Sequence, residues 1–259
     1  MATLEVNFMY HRSVSAVFSA VRMLFKSWLT LPLMIGVYGA LLLAVYLFVS
    51  TREATVAQVT VTFFVMIAAP LLFFMLQSAS INYMTAPSSL LRKTLRDTAK
   101  LIAVTVPVIG LTLLAVYLLG KLQGTLAVDP NTSQPSSPNT MTTLTVIRYL
   151  VIAVVAPLVT IQLWIATSTR GLRAIVRNLR ETMARAFAPQ TVFIFACGFV
   201  IYAVAPYFLL AQTIEIERAW LQFSLLTARL VISALMILLG WVVTIGALSL
   251  INIRPEFQK

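Results

Sequence analysis

Few side chains in this sequence have the types or spacing for chemistry. There is one histidine, His11, and one cysteine, Cys197, among 259 residues. A single cysteine closes no internal disulfide and builds no cysteine metal cluster. One histidine argues against a haem or metal centre built on imidazoles. No Walker loop, GxGxxG, HExxH, CxxC or GxSxG motif occurs. What remains is a small set of polar residues inside oily runs. Gln77, Asn82 and Gln162 have the donors and acceptors for hydrogen bonds between helices, or for contact with a substrate. Arg148 and Arg229 stand at the ends of apolar stretches. They suit anchors whose charged heads reach the interface, or a buried pairing with Glu215 or Glu217. No Asp or Glu falls in the middle of an apolar stretch, which argues against a proton pump built on carboxylate relays. These residues offer no positioned nucleophile, base or metal cluster, so an enzyme is not expected and no cofactor is implied.

The elements that position them follow from composition. Hydrophobic residues make up 60% of the chain and charged residues 10%, where a soluble domain has about 25% charged. Crossing a bilayer takes about 20 mostly apolar residues in a helix. Six stretches qualify, roughly 28–50, 57–84, 101–120, 144–168, 190–211 and 224–251. None alternates as a barrel strand does, so an all-α polytopic membrane protein with six transmembrane helices is expected, forming a single domain over 1–259. The first stretch is too long for a signal-peptide core and reads as an uncleaved anchor rather than one cleaved near "VSTREA".

Charge then orients the spans. Fourteen of the nineteen basic residues fall on the side that holds both termini, and the eight acids divide evenly. Positive residues accumulate in cytoplasmic loops, so both termini are expected in the cytoplasm, with a bacterial inner membrane as the setting. The net charge of +11 is largely this asymmetry, and no nucleic-acid partner is needed to explain it.

A basic segment precedes each odd-numbered span. "SVSAVFSAVRMLFKSW" carries Val14, Val17, Phe18, Val21, Leu24, Phe25 and Trp28 at helical spacing, with Arg22 and Lys26 among them. "SSLLRKTLRDTAK" (88–100) has Leu91, Leu95 and Ala99 on one stripe beside Arg92, Arg96 and Lys100. "RGLRAIVRNLRETMARAF" has Leu172, Ile175, Val176, Leu179 and Met183 on one face, with Arg173, Arg177 and Arg180 lining the other. In it Glu181 precedes Arg185 by four residues, the favourable order for a helical pair. "KTLRDTAK" aligns with "RNLRETMA", making Arg22, Arg96 and Arg180 equivalent, and Pro32, Pro107 and Pro189 follow at similar distances. Proline there is a natural bend from a surface helix into a spanning one. "IAAPLLFFMLQ" and "AVVAPLVTIQ" align through Pro70 and Pro157. The chain thus reads as three copies of an interfacial helix followed by a transmembrane hairpin, over roughly 13–84, 88–168 and 171–252. The basic helices are expected in the headgroup layer, with arginines among anionic lipids or docked on a partner. The stretch 121–142 reads as an outer loop, and within it Asn131-Thr132-Ser133 matches a glycosylation acceptor.

Two quoted stretches, "AVRMLFKSWLTLPLMIGVYGALLLAVYLF" and "IVRNLRETMARAFAPQTVFIFACGFV", make the chain resemble bacterial six-helix integral membrane proteins related to the membrane domain of glycerophosphodiester phosphodiesterases. The chain has no phosphodiesterase domain, so the resemblance implies a membrane fold and no catalysis. Three helix pairs also suggest mitochondrial carriers, but Leu33, Val108 and Gln190 follow the prolines where that family carries an acid. The expected role is a non-catalytic membrane subunit or scaffold, partnered by other membrane subunits or anionic lipid. The alternative is a solute or lipid transporter with a cavity at Gln77, Gln162 or Arg148.

Overall fold

The structure, a computed structural model, describes residues 2–26, 30–51, 55–85, 89–127, 138–212 and 218–253. Among these no strand occurs. The helices are α1 (Ala2–Lys26), α2 (Thr30–Ser50), α3 (Val56–Thr85), α4 (Leu90–Ala127), α5 (Pro138–Leu150), α6 (Ala156–Arg170), α7 (Leu172–Arg177), α8 (Leu179–Ala186), α9 (Pro189–Phe199), α10 (Ala205–Ala211) and α11 (Ala219–Ile253). Six helical stretches are long and apolar enough to cross a membrane: Thr30–Ser50, Val56–Thr85, Leu90–Thr125, Met141–Arg170, Pro189–Ala211 and Ala219–Ile253. These are the six expected spans, most of them longer than composition alone indicated.

Several of their threonine hydroxyls are accommodated within single helices. Thr60, Thr105, Thr160, Thr167 and Thr244 each donate to the carbonyl four residues earlier, at 2.6–2.8 Å. A hydroxyl bonded this way needs no water, which suits a segment surrounded by hydrocarbon.

Backbone proximity divides the chain into two compact units, Met1–Ala99 with Ala188–Lys259, and Lys100–Phe187. Their boundaries differ from those of the expected three-copy repeat. In the first unit α11 is the central element, touching α1, α3, α9 and α10, while α2 pairs with α3. In the second, α6 meets α7 and α8. There Leu163, Ala166 and Ile175 form a small core with Val104, Val108, Val159 and Met183 around it.

The basic segments differ from the expected picture in two ways. The second is not separated from its span at Pro107. It forms the opening turns of α4, which continues through that proline as one 38-residue helix. The third is broken at Asn178, which separates α7 from α8. Gly171, at φ +82°, divides α6 from α7, a conformation that a Cβ would strain.

Two five-residue π-helical segments interrupt the fourth and fifth spans, π1 at Val151–Val155 and π2 at Val200–Val204. Each is followed by Ala-Pro, and both obey V-I-x-x-V-A-P, at 151–157 and 200–206. The Ala156 N–H donates to Val151 O, and the Ala205 N–H donates to Val200 O. Proline favours such a segment, because its ring crowds the carbonyl four residues earlier, although Pro70 and Pro107 are held within α3 and α4 without one. A turn widened by one residue relieves that crowding.

Candidate functional site

The most unusual polar constellation of the first unit joins the end of α3 to the beginning of α4. Asp97 is fully buried, at 0% side-chain exposure. Asn82, also buried, donates through Nδ2 to Asp97 Oδ2 at 3.3 Å and to Ser78 Oγ at 3.2 Å. Ser78 donates to Thr94 O at 3.0 Å. Lys93 Nζ donates to Thr85 Oγ1 at 2.9 Å, and Thr85 donates to Asn82 O at 3.3 Å. Arg96 Nε lies 3.7 Å from Asp97 Oδ1, but its side chain is 69% exposed. A buried carboxylate is costly unless donors and cations surround it, and these residues supply both.

Burial along α4 explains the arrangement. Leu90, Thr94, Asp97, Thr98, Leu101 and Thr105 are the buried residues, whereas Leu91 and Leu95 are exposed. The expected apolar stripe therefore faces outward, and the mainly polar stripe faces protein. In α1, Ser13, Ala16, Ala20 and Leu24 are buried, while Phe18 is 71% and Phe25 65% exposed. Small residues permit close backbone approach, which drives helix association in lipid, where apolar side chains gain nothing by leaving the hydrocarbon.

Gln77 is buried and accepts from Trp241 Nε1 at 2.6 Å, tying α3 to α11. Trp241 in turn stands edge-on to Tyr202 of π2, with ring centroids 5.0 Å apart at 89°. In the second unit Trp164 Nε1 donates to Thr105 Oγ1 at 2.7 Å, joining α6 to α4. Gln162 is buried in α6. Replacing Gln77 by leucine strands the Trp241 N–H and is expected to cost about 1 kcal/mol, read by detergent unfolding. The same change on a Trp241→Phe background should cost less.

The basic residues of all three segments lie at the surface. Arg22, Lys26, Arg92, Arg96, Arg173, Arg177 and Arg180 are exposed, and Lys100 is half-buried. Arg185 Nη2 meets Glu181 Oε1 at 2.6 Å, the expected i,i+4 pair, and Arg170 approaches Glu181 at 3.8 Å. Arg148 is exposed near the end of α5. Arg229 donates to Gln212 O, linking α11 to the end of α10. Glu215, Glu217 and the Asn131 pattern lie outside the described residues, as do the side chains of most of the expected outer loop. Among the described residues no group of three or more His, Cys, Asp or Glu side chains is placed to hold a metal.

Sequence reasoning missed Asp97, which entered only the count of acids on the side of the termini, and Trp241, Tyr83 and Trp164. A usable signal existed for Asp97. Thr94, Asp97, Thr98, Leu101 and Thr105 recur at helical spacing, as do Ser78 and Asn82 opposite them. No protein-family model, characterised protein or solved structure matches the chain.

Proposed function

We propose that this chain is a non-catalytic integral membrane subunit or scaffold that organises anionic lipid and packs against other membrane proteins. The observation that carries this reading is the surface of its basic helices. Exposed arginines share helices with exposed large apolar side chains: Arg22 with Phe18 and Phe25, Arg96 with Leu95, Arg177 and Arg180 with Val176 and Leu179. A helix with that surface favours an interface where hydrocarbon meets anionic headgroups. The charge asymmetry of the loops supports a bacterial cytoplasmic membrane with both termini in the cytoplasm. The three sequence repeats would present this surface three times.

A second reading, a solute or lipid transporter, is favoured by the π segments and prolines in two spans, because interrupted helices line many transport sites. Against it, Gln77 is committed to Trp241.

Extraction from native membranes in mild detergent, followed by native sizing and mass spectrometry of the co-migrating species, tests the first reading. Stoichiometric co-migration with other membrane proteins or retained anionic lipid is expected. Migration alone, stripped of lipid at 28.6 kDa plus detergent, refutes it.

A further inference from the structure

We infer that the crevice between α1, α9 and α11 holds one acyl chain of an anionic phospholipid whose phosphate is bound by Arg22 and Lys26. The inference rests on the lipid-organising reading above and gives it a specific site. The crevice is a cavity of about 280 Å³, and Val21, Phe25, Cys197, Ile201, Val243 and Thr244 are among its lining residues. Gly198 and Gly240 also contribute to its wall, at close approaches where a Cβ would meet Thr244 and Ile201. All these residues belong to the first compact unit. The volume lies just below the range of about 300–1,000 Å³ seen for small-molecule pockets. It suits a single hydrocarbon chain better than a bulky polar solute.

Charge complementarity selects the headgroup. Arg22 follows Val21 and Lys26 follows Phe25, so each cation stands one residue along α1 from a lining residue, and both are exposed. No acidic side chain lines the crevice. Its two hydroxyl or thiol groups do not demand a polar occupant. Thr244 Oγ1 already donates to Gly240 O at 2.6 Å, and a thiol behaves as a small hydrophobe. The crevice therefore offers an apolar slot with cations on one bounding helix, matching an acyl chain ending in phosphate.

Native mass spectrometry of the full-length protein, with phosphatidylglycerol or phosphatidylcholine titrated into the detergent, is the test. One phosphatidylglycerol should be retained per chain in preference to phosphatidylcholine. Cys197→Phe, which fills the slot, should abolish that retention, while Cys197→Ala, which leaves it open, should keep it. The double change Arg22→Gln and Lys26→Gln should lower the preference for phosphatidylglycerol by about 30-fold, the equivalent of about 1 kcal/mol for each basic residue at an anionic surface. Phosphatidylglycerol should also slow alkylation of Cys197, the sole cysteine, by N-ethylmaleimide. Equal retention by Cys197→Phe and wild type overturns the slot while leaving the broader lipid-organising reading intact. Equal retention of the two lipids by the wild type overturns the anionic occupant and also removes the lipid support for that reading. Dimers that form only when Cys197 is unfilled, with no lipid retained, overturn it in favour of a second copy of the chain.

Discussion

Replacing Asn82 by leucine is expected to destabilise the protein by about 3 kcal/mol. Asn82 Nδ2 is a donor to the fully buried Asp97 carboxylate, at 3.3 Å, and also reaches Ser78. Hydrogen bonds to charged groups contribute about 1.5–3 kcal/mol each, and a buried charge that loses a donor costs more than a neutral group would. Asp97→Leu alone should cost less, because it removes the charge rather than leaving it short of a donor. The double variant should recover part of the Asn82→Leu loss, since replacing both members of a buried polar pair by apolar residues is often close to neutral. Arg96 does not oppose that recovery, because its exposed side chain returns to solvent. Unfolding free energies from a detergent titration of the four proteins give the coupling directly. An Asn82→Leu protein within about 0.5 kcal/mol of wild type, or a double variant worse than both singles added together, would remove the constellation from the list of structural determinants.

The Asp97 case also shows what was legible in the sequence and what was not. The six spans were legible because length and hydropathy are set by the bilayer, and the same physics fixes the observed helices. The face that each helix turns to protein was not. Periodicity found a helix in 90–100 and set its Leu91, Leu95 and Ala99 stripe in the headgroup layer, but it assigned no contact to the other face. Thr94, Asp97 and Thr98 are the residues buried there. The charge count placed Asp97 on the side of the termini and went no further, because it registers residue type and not depth. Gln77 was recognisable as a polar residue inside a span. Its partner Trp241 lies 164 residues away, a distance that no local pattern spans. The π segments had a visible signature in the repeated V-I-x-x-V-A-P, which alignment of the prolines at 70 and 157 did not include. The expected repeat and the two compact units divide the chain differently because one follows residue similarity and the other follows contacts.

Gly246→Ala should destabilise the first unit by about 3 kcal/mol, although it adds a single methyl group. A Cβ at this position would overlap the Tyr83 hydroxyl oxygen and lie 2.7 Å from Tyr83 Cζ and 3.1 Å from Cε1. Tyr83 is buried and has little room to withdraw. Its hydroxyl also stands 3.5 Å from Val242 O, a long contact that movement would forfeit. Inserting atoms into a well-filled core typically costs 1–3 kcal/mol. The upper end applies here because a rigid ring is met along much of its edge. Helix propensity works in the opposite direction, since alanine is favoured over glycine inside a helix by about 1 kcal/mol. The sign of the result therefore identifies which effect wins. On a Tyr83→Leu background the clash disappears, and Gly246→Ala should become neutral or mildly stabilising. At Gly36, where no atom lies within 4 Å of a built Cβ, alanine should stabilise in either background. Detergent unfolding of these variants separates the two effects. A neutral Gly246→Ala in the wild-type background would mean that α3 and α11 do not hold this close approach, and with it the Gln77–Trp241 bond one helical turn away would lose its structural basis.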